Sequence, residues 1–165
     1  LELHKRNLKL NLDHVDDTGG LTHDSFYWDR LTDKFDEMLV YAAIATGLDD
    51  MNNEAAPARF HMEIGVTPIL FSIIVRCRDP LVRRKALGIL FVGSMQEGIW
   101  NSMLTGRVAR RLVQLEEQGR VVRSGTDIPV EARVRAVRAQ FGPGEKKATI
   151  TYEYEHGACQ EVVDR

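Results

Sequence analysis

Only two cysteines occur in 165 residues, Cys77 and Cys159, about eighty positions apart. That is too few for a disulfide scaffold or a zinc knuckle, and it points to a reducing, intracellular setting. No apolar run reaches the ~18–20 residues of a membrane span. The nearest, Val66 to Val75, ends in Arg76. Charges interrupt the opening residues LELHKRNLKLNLD from the second position, so no signal-peptide pattern is present. His4, His14, His23, His61 and His156 are scattered, without the spacings of metal ligands. Asp13, His14, Asp16 and Asp17 read as a solvated loop. G-x-S-x-G, the P-loop and G-x-G-x-x-G are all missing, so no nucleophile elbow or phosphate cradle is encoded. The expectation is no metal, no cofactor and no membrane contact.

The hydrophobic share, 44%, is ordinary for a globular domain. The net charge of −2 is unevenly spread. Residues 1–75 carry 6 basic and 13 acidic side chains, residues 76–147 carry 15 and 7, and residues 148–165 carry 1 and 4. A basic middle could meet nucleic acid or an acidic partner. The basic residues have few interleaved aromatics and match no nucleic-acid motif, so mutual neutralisation within the fold or across a dimer is the simpler reading.

Leu1 to Leu12 fits either a short strand or a helix end. Thr22 or Asp24 can cap a long helix whose Trp28, Leu31, Phe35, Met38, Leu39 and Ala42 recur at three- and four-residue steps, with Gly47 closing it. A polar loop covers 48–59. Phe60 to Arg76 reads as helical, with Pro68 marking either a kink or a junction at Val66-Thr67. Asp79-Pro80 is a restart, Asp as cap and Pro in the first turn. The next helix, to about Phe91, should turn Leu81, Leu87, Leu90 and Phe91 inward and Arg83, Arg84 and Lys85 mostly outward. After a joint at 93–98, Ile99 to Gln118 carries a stripe of Trp100, Met103, Leu104, Val108, Leu112 and Leu115, ended by Gly119. The period then changes to two over Ala148–Glu155, with Val134–Phe141 as partner strand across a 142–145 turn. The expected fold is mainly α, a bundle of four or five packed helices with a C-terminal β-hairpin. One domain over 1–165 is expected, its helical core at about 22–119 and its hairpin at about 132–155.

No residue set spells out an activity. Glu63 and Thr67, four apart on an apolar segment with His61 nearby, are candidates for polar groups in a ligand cavity. Hydrogen-bonded groups at a helix start would look the same. His61 and Glu63 are the only weak catalytic candidates. Arg76 and Arg78 sit at a helix C-terminus, where cations are favoured with or without a bound anion. Trp100 is either a stacking surface for a ligand or a core anchor.

The run Cys77-Arg78-Asp79-Pro80-Leu81-Val82-Arg83-Arg84, followed by Glu97-Gly98-Ile99-Trp100-Asn101-Ser102 and later by Glu116-Glu117, resembles the C-terminal part of the helical regulatory domain of fungal zinc-binuclear-cluster transcription factors. Ile128-Pro129-Val130-Glu131-Ala132-Arg133-Val134 and the Tyr152 strand are similar to the succeeding part of that domain. Met95 and Gln96 replace that family's arginine pair, and Asn101 its aspartate. The six cysteines that hold two zincs and contact DNA are absent. The resemblance thus implies a regulatory or interaction module without direct nucleic-acid contact, with a small-molecule effector or a homodimer as the expected partner, working in the nucleus. A stand-alone cytoplasmic enzyme or binding protein for a fungal secondary metabolite is the alternative.

Overall fold

A computed structural model of the protein describes residues 1–13, 26–48, 59–61, 65–92, 95–141 and 147–164. The expected caps Thr22 and Asp24, the 142–145 turn and His14–Gly20 lie outside the described residues. Five α-helices are described: α1 (Glu2–Leu12), α2 (Thr32–Thr46), α3 (Thr67–Arg76), α4 (Pro80–Val92) and α5 (Ser102–Glu117). The strands are β1 (Arg59–His61), β2 (Met95–Glu97), β3 (Trp100–Asn101), β4 (Ala136–Phe141), β5 (Lys147–Tyr154) and β6 (Gly157–Asp164). They form two three-stranded sheets, β1-β2-β3 and β4-β5-β6. Mainly α holds. The C-terminal element is not a hairpin, however, because residues 157–164 add a third antiparallel strand to β5. Its alternation is weak and mostly polar, which hides it in the sequence.

The opening segment is a helix rather than a strand, and Leu3 and Leu10, two turns apart, bury its apolar side. Arg6 ties it to α2, reaching Glu37 at 2.7 Å and the Tyr41 hydroxyl at 3.1 Å. In α2 the expected stripe is real over Phe35, Met38, Leu39 and Ala42. Trp28 to Leu31 form a 3-10 turn ahead of it. Gly47 adopts the left-handed conformation at φ 71° and closes the helix onto the Ala43 and Ile44 carbonyls.

Phe60 does not begin the next helix. Residues 59–61 run as a strand parallel to β2, and α3 starts only at Thr67. Pro68 therefore sits in the first helical turn, where no amide is needed, and no kink arises. Ile69, Leu70, Ile73 and Ile74 make α3 the most deeply buried helix, as its near-continuous apolar character requires. Asp79 restarts the chain, its side chain accepting from the Leu81 and Val82 amides at 2.9 and 3.1 Å.

Helix α4 turns a different face inward from the one its sequence suggests. Leu81 is 70% exposed and Arg83 fully buried, so the inward set is Val82, Arg83, Ala86, Ile89 and Leu90, with Leu87 and Phe91 half-buried. Arg83 tolerates burial because its guanidinium meets acceptors on two sides. Its Nε donates to the Ile74 and Cys77 carbonyls at the end of α3, at 3.0 and 2.8 Å. Its Nη2 donates to the fully buried carboxylate of Glu116. Glu116 also accepts from Arg78 Nη2 at 3.2 Å and from the Val134 amide at 2.7 Å. Three helices and the segment entering β4 thus meet on one carboxylate. Burial is the main influence lowering the Arg78 pKa, and the Glu116 charge opposes it.

In α5, Asn101 is the cap, its side chain accepting from the Leu104 amide at 2.9 Å. Val108 and Leu112 are buried, Leu104 and Leu115 half-buried, and Met103 faces outward. Trp100 precedes the helix, on β3. Ala148, Ile150 and Tyr152 form the buried face of β5. Tyr152 donates to Glu161 at 2.6 Å, with the Val108 carbonyl 3.3 Å away, which fastens the sheet to α5. Ion pairs join the acidic first part to the basic middle, Asp29 to Arg133 at 2.7 Å and Asp36 to Lys85 at 2.6 Å. Internal neutralisation accounts for those charges.

Removing the Glu116 carboxylate strands two buried guanidinium groups, so Glu116→Ala should cost about 3–5 kcal/mol in denaturant unfolding. A cycle with Arg83→Met and Glu116→Gln should show coupling above about 1 kcal/mol, and additivity would contradict the network. Alkaline pH should also destabilise the fold. Burial pushes the Cys77 thiol up from 9.0 to about 11, so its contribution is intact below pH 9 and lost as pH rises from 9 towards 11. Tyr152, raised from 10.0 by burial and then by Glu161, adds its loss above pH 10. The melting temperature should fall from about pH 9, and in Cys77→Ala from about pH 10.

Candidate functional site

The segment Met95–Ser102 is a small ribbon rather than a helix start. Strands β2 and β3 pair through Gln96–Asn101 and Glu97–Trp100, leaving Gly98 and Ile99 as the two-residue turn. Gly98 sits at φ 57°, which a two-residue hairpin turn favours and glycine adopts without strain. Ser102 Oγ accepts the Met95 amide at 3.0 Å, and Asn101 Nδ2 donates to Gln96 Oε1 at 3.2 Å. The ribbon is therefore fixed to the α5 N-terminus at both strands.

Glu97 points to the other side. Its buried carboxylate accepts the Val66 amide at 2.9 Å and the Thr67 amide at 2.8 Å, capping α3 from thirty residues downstream. A carboxylate there also meets the positive end of the helix dipole. Gly65 makes room for it, since a methyl group at that position would fall inside the Glu97 carboxylate.

The ribbon also borders a cleft of about 640 Å³. Phe71 from α3 and Trp100 form one side, their ring centroids 6.1 Å apart at 47°. Leu104 and Val108 of α5, Val137, Ala139 and Phe141 of β4 and Ile150 of β5 line the rest of it. Residues 137, 139 and 141 alternate along β4 and so share one face of the strand. Ile99, 93% exposed, stands at the mouth. Gln96, Asn101 and Thr105 are the polar side chains of the lining, and no described lining residue is acidic, basic or a histidine.

Of the candidates drawn from the sequence, Trp100 lies on this cleft, half-buried. Thr67 does not. It is fully buried at the start of α3, its amide on Glu97, and its hydroxyl has no hydrogen-bond partner among the described residues. His61 lies on β1 with Glu97 as its register partner, and its side chain is outside the described residues, as is the whole of Glu63. Arg78 is committed to Glu116, and Arg76 lies under Trp28 with its guanidinium carbon 4.7 Å from the ring centroid. Neither has the position of an anion receptor. Among the described residues no cluster of His, Cys, Asp or Glu has the arrangement of a metal site, and no helix is long and apolar enough to cross a membrane. Sequence reasoning missed Phe71, Val137, Phe141 and Ile150. Only the period-two pattern of the C-terminal strands carried a signal, and it does not say which face meets the ribbon.

Over 103 residues, 59% of the chain, the sequence is 36% identical to the Aspercryptin biosynthesis cluster-specific transcription regulator atnN of Emericella nidulans. The chain spans 17% of that protein's length. No family model matches the chain, and no solved structure matches it. The similarity supports a region related to transcription regulators.

The Glu97 cap is directly testable. Glu97→Ala leaves two buried amides unpaired and should cost about 2 kcal/mol in urea unfolding. Gly65→Ala should be destabilising alone and much less so in the Glu97→Ala background, because the obstructing carboxylate is then gone. Equal costs in both backgrounds would contradict the packing described.

Proposed function

We propose that the chain is a regulatory region of a fungal transcription regulator, one that leaves DNA contact to other parts of the protein and binds a small-molecule effector beside Trp100. The similarity to a cluster-specific regulator supports the regulatory half of this reading. The observation that carries the effector half is the cleft itself, large enough for a metabolite and formed where α3, α5, the β2–β3 ribbon and the C-terminal sheet converge. An occupant would bridge the ribbon to β4. The ribbon also carries the caps of α3 and α5, so binding would bias the packing of both helices. Such a region works in the nucleus and folds as one unit.

Catalysis at this cleft has little to work with. Its described lining offers no nucleophile–base pair and no carboxylate, imidazole or amine to move a proton. A binding role suits it better than the stand-alone enzyme. Dimerisation has one observation of its own, an apolar groove between α2 and α4 lined by Leu39, Val40, Ala43 and Ile89, with Val40 57% exposed. A second copy of the chain could cover it.

The test joins the chain to an unrelated DNA-binding domain and reads a reporter in a fungal host, with and without extract from metabolite-producing cultures. The reporter should respond to extract, and Ala139→Glu, which puts a charge on an exposed position of the cleft wall, should abolish the response without lowering the melting temperature. Sequence-specific DNA binding by the chain alone, or an extract response that Ala139→Glu leaves intact, would overturn the proposal.

A further inference from the structure

We infer that the cleft selects an uncharged, lipophilic molecule with a flat unsaturated face and a hydrogen-bond acceptor, such as a ketone or lactone carbonyl, directed at the ribbon. This rests on the reading of the cleft as an effector site and narrows it to a ligand class.

Charge is the first criterion. All thirteen described lining residues are neutral, nine of them apolar or aromatic. An anion or cation entering the cleft would give up hydration and find no counter-charge among the described lining residues. Shape is the second. Phe71, Trp100 and Phe141 are among the lining residues, the first two with ring centroids 6.1 Å apart, so a flat ring system has aromatic surface to pack against. A volume of 640 Å³ lies within the usual ~300–1,000 Å³ of small-molecule sites.

The third criterion comes from the amides. Each side-chain amide has one acceptor oxygen and two donor hydrogens. Asn101 Oδ1 already accepts from the Leu104 amide, and Gln96 Oε1 from Asn101 Nδ2. Gln96 Nε2 spends one hydrogen on the Gly98 carbonyl, and Asn101 Nδ2 spends one on Gln96. Each oxygen has one of its two lone pairs engaged, and each nitrogen keeps one hydrogen. The ribbon therefore has a donor hydrogen to offer from each amide, and an acceptor on a ligand is complementary to it.

A matched series of fluorescent probes tests this on the whole chain: 1-acetylpyrene, neutral with a carbonyl; 1-ethylpyrene, neutral without one; and 1-pyrenecarboxylate, an anion of the same shape. Affinities are read by fluorescence titration against the parent chain, Ala139→Glu in the cleft wall and Ile44→Glu on the exposed face of α2, outside the cleft lining. Ala139 and Ile44 are both exposed, so neither change disturbs the core. Acetylpyrene should bind about fivefold tighter than ethylpyrene, from one added hydrogen bond. It should bind about tenfold or more tighter than the carboxylate, from the uncompensated charge. Ala139→Glu should weaken acetylpyrene binding, and Ile44→Glu should leave it unchanged. Equal affinity for the carboxylate, or for ethylpyrene, would overturn the ligand class while leaving the cleft as a binding site. Binding of no probe, or loss only in Ile44→Glu, would instead overturn the effector-site reading itself.

Discussion

One buried carboxylate holds the architecture together. Glu116 lies near the end of α5, fully excluded from water, and accepts from Arg83 of α4, from Arg78 in the α3–α4 joint and from the Val134 amide before β4. Desolvating such a group is unfavourable, and among the described residues not every polar atom is satisfied, since Arg78 Nε and Arg83 Nη1 have no hydrogen-bond partner there. A buried ion pair of this sort contributes less to net stability than its Coulomb energy suggests. Its effect is to define one packing. Only when α3 ends where it does, α4 restarts in the right phase and the chain returns past α5 do all three donors find the same carboxylate. We take conformational specificity as its role in this protein, and a packed apolar replacement that kept a unique fold would argue against that.

A second buried acid, Glu97, extends this logic towards the cleft. It caps α3 from the β2–β3 ribbon, whose Gln96, Trp100 and Asn101 border the open space. Residues that carry the family resemblance therefore divide into two kinds. Arg78, Asp79, Arg83, Glu97 and Glu116 are spent on caps and internal ion pairs, and their side chains are not offered to a partner. Trp100, by contrast, borders the cleft. Arg133 belongs with the first group, donating to the Ile128 and Gly125 carbonyls as well as to Asp29. The scaffold and the cleft share the ribbon, and that shared element is the physical basis for any response to an occupant.

Local rules recovered much of this. The α2 stripe, the Gly47 cap, the Asp79-Pro80 restart and the alternation of β5 depend on residues within a few positions of one another, and all are present. What was hidden depends on distant partners. Arg83 reads as a surface cation on a helical wheel, because its carboxylate is 33 residues away. Arg59 reads as loop and Phe60 and His61 as helix, because the strand that pairs with them begins at Met95. The last strand needs β5 to reveal it. Trp100 was singled out from its residue type, but the cleft around it draws on α3, α5, β4 and β5, and no single stretch of sequence contains that wall.

Native-state hydrogen exchange at the Val134 amide tests the central claim most directly. If the Glu116 network defines the packing, that amide opens only when the whole molecule unfolds, so its exchange free energy equals the global unfolding free energy and tracks it through denaturant. Exchange through a low-energy local opening, insensitive to denaturant, would show that the fold stands without the Glu116 contacts.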